Sequence, residues 1–366
     1  MNVLSSTPIP LPVKEIEEKV EKVIGPTPTS SIRSYLRLNT PELFIREKRG
    51  VYRTRAVNTI PTQQELLEPN QWKEPVSFAK TRLFHADCFD WLRDQEDCSL
   101  HAVVTDPPYG LHEYSPEQQD KLRKRKGGVW RIPPSFDGNV RSPLPRFTTL
   151  SEAQLEELRR FFTVWAKLLL SKLVPGAHVV VASNPLVSYL VSLAITEAGL
   201  ERRAEIIRLT MTMRGGDRPK AAHEEFSEVS VMPRSMWEPW LLYRKPLEGR
   251  VQDNLRNWGT GGLRRPSTDK PFGDVITSAP TRKQERALAP HPSLKPQDFL
   301  RKVVRAVLPL GEGRVLDPFA GSGSTLAAAT AVGYESVGVE RDEHYFDMAR
   351  HAIPKLSCYE SNLGGS

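Results

Sequence analysis

Hydrophobic and polar positions along the chain follow two different periods, which predicts a fold built from both strands and helices. Short apolar runs typical of buried strands occur at residues 82–86, 101–104, 178–182, 205–209, 240–243, 315–317 and 336–340. Between them, apolar residues recur with helical spacing at residues 88–92, 151–173, 185–198, 296–308 and 324–332. Strands that alternate with helices are typical of an α/β fold with a largely parallel sheet.

The apolar run at 101–104 leads directly into Thr105-Asp106-Pro107-Pro108-Tyr109-Gly110. The prolines stop the strand and leave an acid, main-chain carbonyls and an aromatic ring at its carboxyl end, where ligands bind in open α/β sheets. The Asp106 carboxylate and a rigid carbonyl suit the hydrogens of an exocyclic amine, and the Tyr109 ring suits a flat heterocycle. A surface turn with an acid is the plainer interpretation, and this motif alone leaves both open.

A second motif combines a strand, a glycine-rich turn and a helix start in the segment 315–325, Val-Leu-Asp-Pro-Phe-Ala-Gly-Ser-Gly-Ser-Thr. Gly321 and Gly323 allow close approach of a ligand to the backbone, and the start of a helix presents free N–H groups. The next strand ends at Glu340, and an acid at that strand tip suits the two hydroxyls of a ribose.

These two motifs resemble the signatures of the amino-group DNA methyltransferases, which use S-adenosylmethionine. The motif around Asp106 precedes the glycine-rich turn, an order that resembles the beta group of that family. A third segment, His291-Pro292-Ser293-Leu294-Lys295-Pro296, is similar to a His-Pro-x-x-Lys-Pro signature at the same place in the family. The resemblance covers roughly residues 80–352 and departs from the commoner pattern at Gly110 and Ser324.

The resemblance implies a Rossmann-like methyltransferase fold that is circularly permuted, with a mostly parallel seven-stranded sheet, an antiparallel edge strand and helices on both faces. The strands 205–209 and 240–243 are expected to form a hairpin at the sheet edge. The strand ending at Glu340 is expected beside residues 82–86, so one sheet needs both ends of the chain.

The resemblance also implies roles for individual residues. Those expected to hold and orient the target amine are Asp106, Pro107, Pro108 and Tyr109. Those expected to bind the cofactor S-adenosylmethionine are Asp87, His291, Lys295, Asp317, Phe319, Ala320, Gly321, Ser322, Gly323, Ser324, Thr325 and Glu340. Asp87 also suits a helix N-cap, and both roles are compatible. Neither a catalytic cysteine nor a metal ion is implied.

Three segments interrupt the α/β pattern and divide the chain. The predicted parts are an N-terminal extension at 1–75, a first catalytic half at 76–244 with a loop insert at 111–149, a target-recognition region at 245–290, a second catalytic half at 291–358 and a flexible tail at 359–366. The extension is expected to be partly disordered. It mixes basic and aromatic residues over 31–55, which fits either a DNA-contacting arm or a solvated, partly helical one.

Basic residues in two of these segments are candidates for contact with double-stranded DNA, because Arg and Lys neutralise phosphates and Arg reads guanine edges. In the insert they are accompanied by Trp130, which suits stacking or wedging, although a solvated loop fits the insert equally well. The candidates are Lys124, Arg125, Lys126, Trp130, Arg256, Arg264 and Arg265.

Composition agrees with a globular DNA-binding enzyme without identifying one. The chain has 366 residues, 39% of them hydrophobic, and 51 Lys and Arg against 44 Asp and Glu, for a net charge of +7. The cysteines Cys88, Cys98 and Cys358 form no metal-binding spacing and no disulfide framework, which predicts a cytoplasmic protein. No apolar run is long enough to cross a membrane, and no secretory signal precedes the fold.

The predicted reaction is site-specific methyl transfer to the N6 amine of adenine in DNA, by base flipping and direct displacement, in a restriction–modification or related system. Asp as the first residue of the tetrapeptide resembles the adenine enzymes, whereas Ser is commoner in cytosine-N4 enzymes. Cytosine-N4 methylation, an RNA substrate and a DNA-binding module without turnover are the alternatives. A homodimer and a cognate restriction enzyme are further candidate partners.

Overall fold

A computed structural model describes residues 11–24, 28–38, 44–48, 50–54, 74–109, 150–214, 218–219, 222–291 and 293–360. The chain forms two compact units, Met1–Asn70 and Gln71–Ser366. The loop insert at 111–149 lies outside the described residues, as do 361–366 of the predicted tail.

The first unit is a small folded body with two helices and a three-stranded antiparallel sheet. Its elements are β1 Leu11–Pro12, α1 Val13–Ile24, α2 Thr29–Leu38, β2 Phe44–Lys48 and β3 Val51–Thr54. The sheet order is β1-β3-β2. The unit has its own core, formed by Leu11, Ile16, Ile32, Leu36 and Tyr52.

The second unit has the α/β architecture predicted from the apolar pattern. Its strands are β4 Val76–Phe78, β5 Thr81–His85, β6 Leu100–Thr105, β7 Leu173–Ala182, β8 Glu201–Arg214, β9 Ser235–Arg244, β10 Val275–Thr277, β11 Arg314–Asp317 and β12 Glu335–Glu340. Its helices are α3 Cys88–Arg93, α4 Glu152–Lys172, α5 Ser188–Glu197, α6 Val251–Trp258, α7 Lys283–Leu288, α8 Gln297–Val307, α9 Ser324–Ala331 and α10 Glu343–Ser357.

These strands form one sheet in the order β10-β8-β9-β7-β6-β11-β12-β5-β4. Neighbours are parallel except at β9, which is antiparallel to β7 and β8, and at β4, which is antiparallel to β5. The described sheet thus has nine strands instead of the predicted seven, because the short strands β4 and β10 extend its two edges. Each has only three residues, which is too short for the sequence pattern to reveal a strand.

Helices cover both faces because buried side chains alternate along the central strands. In β6, Val103 packs into a core cluster with α4 and α5, whereas Ala102 and Val104 pack into a second cluster with α8. The α4 helix begins at a capping box, in which Ser151 accepts from the backbone of Gln154.

One predicted strand boundary and one predicted position in the sheet were wrong. The strand expected at 178–182 begins at Leu173, because Leu173 and Val174 are buried and Leu173 pairs with Leu100. The pairing of β8 with β9 was predicted, but this hairpin was expected at the edge of the sheet. The edge is instead occupied by β10, which lies parallel to β8.

The two ends of the second unit meet in the sheet, as predicted. Strand β12 lies between β11 and β5, with Val337 opposite Arg82 and Glu340 opposite His85. Within the described residues, no helix combines the length and the apolar character that a membrane crossing requires.

Candidate active site

The motif residues converge because parallel neighbours of one sheet end at the same edge. Asp106 follows β6, Asp317 ends the adjacent β11, Glu340 ends β12, and Asp87 comes just after β5. These four strand tips are therefore contiguous in space, although Asp106 and Glu340 are far apart in the chain.

A buried hydrogen bond joins the two motifs directly. Thr105 Oγ1 donates to Asp317 Oδ1 over 2.7 Å, and the backbone N–H of Phe319 donates to the same oxygen over 3.2 Å. Asp317 is 2% exposed, and its burial raises the pKa of this carboxyl to about 7. Asp317 was predicted to bind the cofactor, but its carboxylate fixes the start of the glycine-rich turn and the strand before Asp106.

The glycine-rich turn keeps only part of its surface accessible. Phe319 and Gly321 are half-buried, whereas the other predicted cofactor residues of the turn are buried: Ala320, Ser322, Gly323, Ser324 and Thr325. The backbone N–H of Gly321 donates to Glu340 Oε2 over 2.7 Å, and that of Asp342 donates to Glu340 Oε1 over 2.7 Å. These two bonds fix the Glu340 carboxylate beside the turn, and its burial raises its pKa.

Gly321 and Gly323 serve different purposes. Both have positive φ, +52° and +79°, which favours glycine. A Cβ on Gly321 would lie 3.5 Å from His291 Nε2, at the accessible side of the turn. A Cβ on Gly323 would lie 2.5 Å from Ile353 Cγ1 of α10, so this glycine permits close packing of the helix. The expected ligand-approach role therefore fits Gly321, and the same role for Gly323 stays a prediction.

Asp87 has the N-cap role that was one of its two expected functions. Its Oδ1 accepts from the backbone N–H of Phe89 over 2.8 Å at the start of α3. The carboxylate remains half-buried beside the tip of β12, with Arg341 3.9 Å from Oδ2. This leaves Asp87 accessible at the same edge as Glu340.

Lys295, which was predicted to bind the cofactor, contacts the target-amine motif. Its Nζ is 3.1 Å from Asp106 Oδ2 and donates to the hydroxyl of Tyr109 over 3.0 Å. The same Nζ is 2.9 Å from Glu238 Oε1. The two carboxylates raise the pKa of Lys295 although burial opposes them, so this buried ammonium stays charged.

Glu238 and Arg208 complete this network, and neither was predicted from the sequence. The Tyr109 hydroxyl donates to Glu238 Oε1 over 3.3 Å, while Arg208 Nη1 lies 2.9 Å from Glu238 Oε2. Arg208 also donates to Ser278 Oγ over 3.2 Å and to the carbonyl of Ala279 over 3.1 Å. Burial tends to raise the pKa of Glu238, but Lys295 and Arg208 outweigh it and lower that pKa.

The network leaves one carboxylate oxygen of Asp106 available. Asp106 Oδ1 is buried, and no described residue hydrogen-bonds to it. Burial raises the pKa of Asp106, and the charge of Glu238 adds to that effect while Lys295 opposes it. A buried acceptor without a partner is costly, which points to a donor supplied by a ligand.

His291 faces the glycine-rich turn as a neutral imidazole. Its Nδ1 accepts from the backbone N–H of Ser293 over 3.2 Å, which places the proton on Nε2, the atom nearest Gly321. Burial, together with the charge of Lys295, lowers the pKa of His291 to about 4. The ring packs edge-on against Tyr345 at 4.5 Å. Pro292 of this motif lies outside the described residues.

The structure does not bring the described DNA-contact candidates to this edge. Arg264 Nη1 donates to the hydroxyl of Tyr334 over 2.8 Å, just before the amino end of β12 and therefore away from Glu340. Arg265 Nη1 donates to the carbonyl of Thr268, and exposed Arg256 pairs with Asp253 at 3.2 Å. Their DNA contacts remain predictions. The other candidates lie outside the described residues: Lys124, Arg125, Lys126 and Trp130.

An α/β sheet that brings the segment Asp106–Tyr109 beside a glycine-rich turn has the architecture of a Rossmann-like methyltransferase. A family model described as DNA methylase, for the N6 and N4 enzymes, matches residues 100–351, and the chain belongs to this family. Its cofactor is S-adenosylmethionine, as predicted.

Individual relatives agree with this family. The type II methyltransferase M2.DpnII of Streptococcus pneumoniae is 24% identical over 275 residues, covering 75% of this chain and 90% of the relative. M.HindIII of Haemophilus influenzae is 22% identical over 316 residues, covering 76% of this chain and 97% of the relative. The solved PvuII DNA methyltransferase, a cytosine-N4-specific enzyme, has a TM-score of 0.50 at 15% identity, covering 80% of this chain and 91% of that one. This last likeness shows the fold alone.

Proposed function

We propose that the chain methylates the exocyclic N6 amine of adenine in double-stranded DNA, at a specific sequence. The single observation that carries methyl transfer to an amine is Asp106 Oδ1, a buried acceptor without a hydrogen-bond partner among the described residues. The choice of adenine follows from the resemblance of a tetrapeptide that begins with Asp to the adenine enzymes. Asp106 lies one residue beyond the hydrogen bond between Thr105 and Asp317, so the acceptor is fixed next to the strand that leads into the glycine-rich turn.

In this proposal Asp106 and the carbonyl of Pro107 accept the two hydrogens of the target amine. These bonds turn the nitrogen lone pair towards the methyl donor, and transfer then depends on position and electrostatics. Pro108 holds the backbone of the motif in place. The raised pKa of Asp106 also makes its carboxylate a suitable site for the proton that the amine loses.

Tyr109 is proposed to stack on the target base, which must leave the duplex to reach a buried acceptor. Its hydroxyl is held by Lys295 at 3.0 Å and by Glu238 at 3.3 Å, so the ring has a fixed position. A fixed ring retains a flipped base at low entropic cost.

The residues around the glycine-rich turn fit S-adenosylmethionine. When bound, this cofactor supplies an electrophilic methyl group on a sulfonium. Phe319, Gly321 and Glu340 keep accessible surface at the strand tips, and Asp87 lies beside them. Glu340 is proposed to accept from the ribose hydroxyls and Asp87 to face the adenine. His291 Nε2 carries a proton towards the turn and is proposed as a donor to the cofactor.

A product assay tests the reaction and the base together. Amplified genomic DNA, which carries no methylation and contains most short sequences, would be incubated with the protein and labelled S-adenosylmethionine. After digestion, mass spectrometry should find N6-methyladenine. N4-methylcytosine would overturn the adenine assignment, and the absence of any methylated nucleoside from a protein that binds the cofactor would overturn the enzyme assignment.

Asp106→Ala is the matched control for that assay. The variant loses the amine acceptor, so methyl transfer should fall by about three orders of magnitude, the upper range for one lost electrostatic contact. Its calorimetric affinity for S-adenosylmethionine should stay within about twofold, because no proposed cofactor contact changes. Wild-type turnover in Asp106→Ala would show that the tetrapeptide is only a turn.

The relatives suggest the biological setting. Both sequence relatives described above are named type II methyltransferases. We propose that this chain likewise modifies host DNA in a restriction–modification system with a cognate endonuclease. Expression in a methylation-free host followed by sequencing of modified bases should reveal one fully modified motif. Scattered modification without a motif would contradict this setting.

A further inference from the structure

The first unit, Met1–Asn70, has a topology that the methyltransferase fold does not require. Two helices, α1 and α2, lie between strand β1 and the hairpin β2–β3. Strand β1 pairs with β3, with Leu11 opposite Tyr52, and β3 pairs with β2, with Arg46 opposite Tyr52. The hairpin is thereby tied to the start of the first helix, where Val13 donates its N–H to the Gly50 carbonyl over 2.9 Å.

The order of elements, a strand, two helices and a hairpin that pairs with the first strand, resembles that of a winged helix-turn-helix. A helix-turn-helix joins two helices through a short turn that often contains glycine, and here the sequence between α1 and α2 is Gly25-Pro26-Thr27-Pro28. The helices share one core, in which Ile16 of α1 packs with Ile32 and Leu36 of α2. In such motifs the second helix enters the major groove while the first crosses the backbone. Topology alone does not establish a function, so the surface must decide.

Charge is distributed unevenly along the sequence of this unit, with an excess of basic residues in the part that contains α2 and the hairpin. Helix α1 carries four glutamates and three lysines, whereas residues 28–54, which contain α2 and the hairpin, carry six basic residues and two acidic ones. A basic segment beside a neutral or acidic one is the charge pattern of many nucleic-acid-binding proteins.

Exposed side chains on α2 and on the hairpin have the required chemistry. On α2 these are Thr29, Ser30 and Arg33, and Arg33 Nε lies 3.0 Å from Glu17 Oε1 while the side chain remains 63% exposed. On β2, Arg46 and Lys48 are exposed. Hydroxyl and guanidinium groups bind phosphates and base edges, and paired basic residues on a hairpin suit neighbouring phosphates.

We infer that the Met1–Asn70 unit is a separate duplex-DNA-binding module, in which α2 contacts the major groove and the β2–β3 hairpin contacts the adjacent backbone. The inference goes beyond the proposed methyl transfer, because it rests on residues other than those of the proposed catalytic site. The module adds affinity for DNA without taking part in chemistry.

The test compares two charge-reversal variants of the full chain. Arg46→Glu/Lys48→Glu changes the hairpin, and Lys14→Glu/Lys22→Glu makes the same change of net charge on exposed positions of α1. Binding of a fluorescein-labelled duplex would be followed by anisotropy over a range of salt concentrations.

The hairpin variant should bind about tenfold more weakly or worse at moderate salt. Its slope of log K against log salt should fall by about two, since each lost phosphate contact removes about 0.9. The α1 variant should change the affinity by less than about threefold. Equal losses in both variants, or no loss in the hairpin variant, would overturn the inference.

Two further measurements keep the result independent of folding and of the proposed activity. If the glutamate variant has lost its thermal transition for the unit, Arg46→Gln/Lys48→Gln replaces it, with an expected slope change of the same sign. Methyl transfer at saturating DNA should be unchanged in the hairpin variant. If the wild-type protein shows no turnover but the hairpin variant shows the expected loss of DNA affinity, the proposed function is refuted while the inference of a DNA-binding module stands.

Discussion

Thr105 Oγ1 and Asp317 Oδ1 are 2.7 Å apart and fully enclosed, so the residue before the target-amine motif is bonded to the residue before the glycine-rich turn. The two halves of the site thus share one fixed reference point. Replacement of the hydroxyl by a methyl group, in Thr105→Val, would leave the buried Asp317 carboxyl short of a donor.

We expect Thr105→Val to lower the free energy of unfolding by about 1–3 kcal/mol, the cost of an unsatisfied buried polar group. Because Asp106 follows directly, kcat should fall by more than the cofactor affinity does. Urea unfolding and steady-state kinetics provide the measurements. Thr105→Ser keeps the donor and should resemble wild type, and similar losses in Ser and Val variants would assign the effect to packing.

Glu238 is expected to be a positioning residue, since it acts on the target through Tyr109 and Lys295. In Glu238→Gln, Lys295 would be left with Asp106 as its partner carboxylate in the described network, and their ion pair would compete with the target amine. A displaced catalytic group costs about 100-fold, so kcat should fall by about that factor while calorimetric affinity for S-adenosylmethionine is unchanged.

The pH profile separates this role from a purely structural one. Burial raises the pKa of Asp106 and the Glu238 charge raises it further, so the acid limb of the Glu238→Gln profile should move to lower pH. Glu205→Gln, which removes a carboxylate paired with Arg202, is the matched control. An unmoved acid limb with a reduced melting temperature would mean that Glu238 only stabilises the fold.

The two glycines of the turn should give different phenotypes when replaced by alanine. Gly321→Ala meets its nearest contact at 3.5 Å, so the protein should fold, with strain of about 1–2 kcal/mol, and bind the cofactor more weakly. Gly323→Ala meets Ile353 at 2.5 Å and should lower the melting temperature strongly. Calorimetry and thermal unfolding distinguish the two.

A second-site change tests that explanation. Combining Gly323→Ala with Ile353→Ala provides space for the new methyl group and should recover part of the lost melting temperature. Ile353→Ala alone should be destabilising, so recovery in the double variant would be non-additive. Additive losses would contradict the proposed contact.

His178 should make folding sensitive to acid. Burial, together with the charges of Arg244 and Arg203, lowers the pKa of His178 to about 3. Because the folded pKa is depressed below about 6.5, its stabilising effect is present above pH 6.5 and is lost as the pH falls towards 3. At pH 5 the loss should be about 2 kcal/mol.

Urea unfolding at pH 7 and pH 5 provides the measurement. His178→Leu should reduce the difference between the two pH values by about that amount relative to wild type. His351→Leu removes an exposed histidine and should leave the difference unchanged. An equal pH effect in wild type and His178→Leu would exclude His178 as the source.

The sequence predicted the site where local signals coincide with strand ends. Asp106, Gly321 and Glu340 each follow an apolar run, and parallel strands bring such ends to one edge. Glu238 lies near the start of β9 between tryptophans, before the predicted strand at 240–243, and no local pattern marks it. Its importance comes from Lys295, which is distant in sequence, and such a contact is a property of the folded sheet.

The same limit explains the other differences. Arg264 is a residue type that commonly contacts DNA, but its guanidinium donates to the hydroxyl of Tyr334. Only the tertiary structure defines this partner. The strands β4 and β10 have mixed burial and only three residues each, too few to form a sequence pattern, and their pairing with β5 and β8 defines them.

The position of β12 between β11 and β5 has a consequence for synthesis on the ribosome. Residues 81–85 emerge early, yet their partner strand at 335–340 is among the last parts of the second unit to be made. Until then β5 and β11 each lack a neighbour, and such unpaired edges invite association with other chains. Completion of this sheet, and with it the Glu340 contact to Gly321, therefore waits for nearly the whole chain, so a prematurely terminated product would be inactive and prone to aggregate.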